Sequence, residues 1–107
     1  MPDAIILEGS PEYYNLLDAA GKKRGIYGNT FNTEFGRSVQ EDLRQFCKAD
    51  ETTYDPDPVK SAVNVGKREV WLYIQRYLNI PSDQLVRLLL AQKGVEVVTP
   101  LKEDDNG

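Results

Sequence analysis

A mainly α fold is what this sequence of 107 residues predicts: one small domain of about four helices, with a short two-stranded β pair made by the N- and C-terminal segments. Three observations point there. Apolar residues recur at spacings of three and four through most of the chain. Proline, threonine and aspartate stand where helices begin, and strand-like runs are confined to the two ends. The domain is expected to cover residues 1–101, with 102–107 (KEDDNG) as a frayed polar tail.

The first helix is read from Ser10 as N-cap and Pro11 at the first helical position, with Leu16, Leu17 and Ala20 apolar and Gly21 as its stop. Residues 22–32 hold two glycines, three consecutive basic residues and isolated aromatics, so they read as a loop with Ile26, Tyr27 and Phe31 tacked onto the core. A second helix is expected over 34–48 with Thr33 as N-cap. Its stripe is Phe35, Val39, Leu43, Phe46 and Cys47, expected to face the core. The acid- and proline-rich connection that follows must end it, because proline pushes the preceding residue out of helical geometry.

Asp57 and Pro58 open the longest helix, which runs to about Asn79. Val59, Val63, Val70, Ile74, Tyr77 and Leu78 draw its apolar stripe, beside Ala62, Gly66 and Trp71. A mid-helix glycine costs roughly 1 kcal/mol against alanine, so Gly66 suggests close backbone approach, with Gly36 as the facing small residue. Ile80, Pro81 and Ser82 break this helix, and Ser82 or Ile80 caps a fourth one reaching to Gly94. Leu85, Val86, Leu88, Leu89 and Leu90 give that helix an apolar arc too wide for one core, so part of it is expected to face a partner. VEVV (95–98) alternates as a strand does, and Ile5, Ile6 and Leu7 are its candidate partner.

Composition excludes several functions. The chain is 40% hydrophobic and 28% charged, with a net charge of -4, which disfavours a nucleic-acid coat that needs clustered cations outside. Neither a run of apolar residues long enough to span a membrane nor a signal-like start is visible, so the product is expected to stay in the cytoplasm where it is made. Histidine is absent and Cys47 is the single cysteine. The commonest general base, the usual activator of a Ser or Cys nucleophile and the commonest metal ligand are therefore missing.

Three constellations are candidates for chemistry. Lys67, Arg68, Trp71, Tyr73 and Arg76 form a basic and aromatic set suited to phosphate or bases, but a solvated face with Trp71 at its edge is the preferred reading. The acids Asp50, Glu51, Asp55 and Asp57 lack the spacing of a calcium loop, and Asp57 and Asp55 read more simply as a cap and a turn former. Glu12, Glu34, Glu41 and Glu69 carry no hydrolase motif, and Cys47 lies on an apolar stripe. No enzyme, no metal and no cofactor are expected.

One set of motifs is more specific. Phe35-Gly36-Arg37, Asp42-Leu43-Arg44 with Phe46-Cys47, Tyr54-Asp55-Pro56, and Gly66-Lys67-Arg68-Glu69-Val70-Trp71 with Ile74 together resemble a family of small proteins of short-tailed bacteriophages, named after the nineteenth gene of a Bordetella phage. The resemblance implies a product of the virion gene cluster without assigned enzymatic activity, and hence a virion-associated or assembly role. Within the pattern, Arg37, Arg44, Lys67 and Arg68 are the residues expected to be free to touch a partner. Arg76, Leu85, Leu88 and Leu89 complete the expected partner-binding set, and the partners are phage or host proteins. The alternative is an early host-directed inhibitor that binds a bacterial enzyme or nucleic-acid complex.

Overall fold

The computed structural model describes residues 4–100, so the expected polar tail lies outside the described residues. The element order is β1 (Ala4–Leu7), α1 (Pro11–Phe31), α2 (Glu34–Phe46), α3 (Pro58–Asn79), α4 (Ser82–Ala91) and β2 (Val95–Val98). Four helices and a terminal strand pair are thus present, as the sequence predicts. The strands pair in parallel, with Ala4 opposite Val95 and Leu7 opposite Val98.

Contacts among the described residues gather into two compact units, one of residues 4–22 and 81–100, the other of 23–80. The first holds β1, the first half of α1, α4 and β2. Its buried residues are Ile6, Tyr13, Ala20, Leu85, Val86 and Val97, one apolar cluster shared by strands and helices. A polar clamp ties α4 to both strands. Arg87 donates to a Glu8 carboxylate oxygen at 2.7 Å and to the Val97 carbonyl at 3.2 Å, while Thr99 donates to the other Glu8 oxygen at 3.0 Å. Gly9, at φ 88°, makes the turn from β1 that lets the Ser10 hydroxyl accept from the Tyr13 N–H and cap α1.

Helix α1 corrects the sequence reading. Residues 22–32, expected as a loop, continue the helix to Phe31, and Gly21 does not stop it. The compensation lies on one side of this segment. Tyr27 stacks on Tyr77 with ring centroids 4.9 Å apart, and Lys23 donates to the Tyr73 hydroxyl at 2.8 Å. Aromatic packing of this kind contributes about 0.5–1.5 kcal/mol per pair, enough to offset a helical glycine.

In the second unit α1 turns sharply into α2. Thr33 caps α2 as expected, its hydroxyl accepting from the Gly36 N–H at 3.0 Å. A β-carbon on Gly36 would lie 2.6 Å from the Phe31 Cα, so the corner requires glycine there. Gly36 therefore faces the end of α1 and not Gly66, which has open space around it. Gln40 closes the same corner: its amide donates to the Phe31 carbonyl at 2.8 Å and its oxygen accepts from Gln75 of α3 at 3.2 Å.

Helix α2 ends at Phe46, two residues before the expected end, through Lys48 at φ 52°. That left-handed residue lets the Ala49 N–H reach back to the Arg44 carbonyl at 3.0 Å. Asp57 caps α3 by accepting from the Val59 N–H at 2.9 Å, and Asp55 accepts from the Asp57 N–H at 2.9 Å, so both acids have the local roles expected of them. Neither Ser82 nor Ile80 caps α4. Ile80 closes α3 and Pro81 precedes α4 without a side-chain cap.

Candidate partner-binding surface

At about 100° per residue, Phe35, Val39 and Phe46 fall within roughly 40° of one another around α2. Gly36, Leu43 and Cys47 lie round the helix from that line, and this neighbouring face is the one that packs: Gly36 and Cys47 are buried and Leu43 is half-buried. Phe35 is 82% exposed, Phe46 62% and Val39 48%, so three of the five stripe residues expected in the core point outward. The same geometry repeats on α3, where Val59, Val63 and Val70 share a line and are all exposed.

Lys67 joins these two rows. Its ammonium sits 4.5 Å from the centre of the Phe46 ring, and along α3 it lies one turn from both Val63 and Val70. The α2 row and the α3 row thus border one surface. The buried residues of this unit are few: Gly36, Cys47, Asn64 and Tyr77. Much of its apolar side-chain surface is exposed, at Phe35, Val39, Phe46, Val59, Val63 and Val70.

The other expected contact residues divide. Arg37 is exposed and forms no ion pair among the described residues. Arg44 is held by Glu41 at 3.0 Å and by Asp50, and these two carboxylates, Asp50 foremost, push its guanidinium further above its ordinary range. Both arginines line an open cleft of about 370 Å³ with Asn32, Gln40, Glu41 and Trp71.

Arg68, expected free, is a structural residue. It donates to the carbonyls of Lys48 at 3.2 Å, Ala49 at 2.9 Å and Glu51, which closes the loop behind α2. Arg76 lies 5.6 Å from the Tyr73 ring centre, at the edge of an aromatic group formed by Tyr27, Tyr73 and Tyr77. In that group the Lys23 ammonium lowers the Tyr73 hydroxyl below its usual range, the same hydrogen bond raises Lys23, and burial raises Tyr27.

Helix α4 does not present the arc expected of it. Leu85 has no exposed surface and Val86 only 3%, because both fill the core of the first unit under the strand pair. Leu89 is half-buried and Leu88 alone of the three proposed leucines is open to solvent. Much of the wide arc is taken up within the first unit, with β2 as its neighbour. What sequence reasoning missed is the outward turn of the α2 and α3 stripes: periodicity identifies a face, but the side that packs is chosen by Gly36 and Gln40 at the corner.

Among the described residues no group of three His, Cys, Asp or Glu side chains gathers where a metal ion could be held. No described helix is long and apolar enough to cross a membrane.

The chain is small and mainly helical, with apolar rows turned outward on α2 and α3. Residues 27–90 match the model of the Bbp19-like phage proteins, and the chain belongs to that family. The matched span contains every motif that carried the resemblance, from Phe35 to Ile74. No curated protein and no solved structure was found to match the chain.

Proposed function

We propose that this phage protein is an accessory or assembly factor that acts by docking onto other phage proteins, without catalysis. The observation that supports it is the solvent-facing apolar row Phe35, Val39 and Phe46 on α2, continued by Val63 and Val70 on α3. Exposed apolar surface bordered by charge marks interaction sites; Lys67 and Glu34 border the row here, and Asp42 lies on its line between Val39 and Phe46. The absence of histidine and the burial of Cys47 are consistent with binding alone.

The test is a phage carrying Phe35→Asp and Phe46→Asp. Its yield is expected to fall at least tenfold, with the wild-type protein found in purified virions or assembly intermediates by mass spectrometry and the variant absent from them. Normal yield from a phage whose variant protein is folded and expressed would defeat the proposal. Accumulation immediately after infection together with absence from every assembly intermediate would favour host-directed inhibition instead.

A further inference from the structure

The cleft between α2 and Trp71 lies on a different side of α2 from the apolar row, since Arg37 and Arg44 are roughly 160° and 180° from Phe35 around the helix and Glu41 about 120°. Its function is independent of whether that row docks. The lining residues are unusually rich in uncommitted donors. The Arg37 guanidinium forms no ion pair, and among the described residues neither the Asn32 amide nor the Trp71 indole N–H meets an acceptor. Gln40, by contrast, already commits one amide N–H to the Phe31 carbonyl and its oxygen to Gln75. A ligand that engages Arg37 and the Trp71 indole N–H must offer them acceptors, and it must tolerate an indole beside it.

We infer that the Arg37–Trp71 cleft binds a single carboxylate, the side chain of a Glu or Asp presented by a partner protein. Arg frequently binds carboxylate through two parallel N–H donors, and Trp and Arg are both enriched at contact hot spots. Charge limits the ligand to one negative group. Inside the cleft Glu41 pairs with Arg44, which is also shared with Asp50, so Arg37 is the lining's one cation without an ion pair among the described residues. The adjoining hollow of about 430 Å³, which shares Glu41 and Arg44, also contains Asp50 and Glu51. A nucleic-acid strand carries a phosphate at every nucleotide and needs a track of cations; here its next phosphate would meet those acids. An isolated acid on a protein surface meets no such obstacle.

The experiment uses the full chain and three probes: an acetylated and amidated tetrapeptide Ala-Glu-Leu-Ala, its Gln counterpart, and a hexathymidylate. Trp71 is the single tryptophan, so its fluorescence and its indole N–H resonance report on the cleft alone. The Glu peptide is expected to give a saturable change in both and the Gln peptide a change at least tenfold weaker. Arg37→Gln, an exposed substitution whose fold is checked by circular dichroism, is expected to weaken the Glu peptide about tenfold, the loss expected for one charge-assisted hydrogen bond. Lys60→Gln, outside the cleft, is expected to leave it unchanged. Equal binding of the Glu and Gln peptides, no response to either at millimolar concentration, an unaltered affinity in Arg37→Gln, or tighter binding of the hexathymidylate would each overturn the assignment.

Discussion

Gly36 and Gly25 are the same residue type in helices, yet their surroundings set opposite consequences. At Gly36 a methyl group would be driven into the backbone of Thr30 and Phe31, which cannot move without opening the α1–α2 corner. Gly36→Ala is expected to cost about 1–3 kcal/mol, in the range of overpacked sites, and to lower the urea midpoint accordingly. Around Gly25 nothing lies within 4 Å, and it sits mid-helix with no left-handed φ. Gly25→Ala is therefore expected to raise stability by about 0.5–1 kcal/mol, through helix propensity and a less disordered unfolded chain. Lys48, at φ 52°, offers the reverse exchange: Lys48→Gly relieves a left-handed residue that costs roughly 1 kcal/mol with a β-carbon present. Only the first of these three positions was marked by the sequence as a close approach, and its partner was misassigned, because a glycine announces small volume without naming what occupies it.

At the scale of elements, α1 owes its second half to side chains contributed by α3. The Lys23–Tyr73 hydrogen bond gives this pairing a pH signature. Tyr73 is lowered from 10.0, so its contribution to stability is present above that value and is lost as pH falls through its lowered value. Lys23 is raised from 10.5, so its contribution is present below that value and is lost as pH rises through its raised one. Both are present together between 10.0 and 10.5. In an alkaline titration followed by tyrosinate absorbance, the first tyrosine to ionise is expected to be Tyr73, and Lys23→Met is expected to move that step upward. An unmoved first step would dissociate the two groups. The helical spacing Tyr13, Ala20, Tyr27 was present in the sequence all along, but Gly21, Gly25, Gly28 and three basic residues between them obscured it. The α3 start, the α2 cap and the terminal strand pair were legible because each rests on local chemistry: Asp57 before Pro58, Thr33 before an acidic turn, and alternation in VEVV. Which side of α2 packs was not legible, since it depends on a corner formed by residues from three helices.

For the molecule as a whole, the two units spend their apolar residues differently, and this separates stability from contact. The first unit buries Leu85 completely between strands and helices, where Leu85→Ala removes contacts and leaves a cavity. It is expected to cost about 2–5 kcal/mol, seen as a lower melting temperature. In the second unit Phe35 and Phe46 are more than half exposed, so Asp at both sites gives up little burial. Phe46→Asp also exchanges the cation–π contact with Lys67 for an ion pair, and surface changes of this kind usually stay within about 0.5 kcal/mol each. The double variant is thus expected to melt within a few degrees of the parent. If instead it unfolds as readily as Leu85→Ala, the α2 row is core and the docking surface must be sought elsewhere. A partner-binding row can be recognised by this contrast alone: removing it spares the fold while abolishing the association.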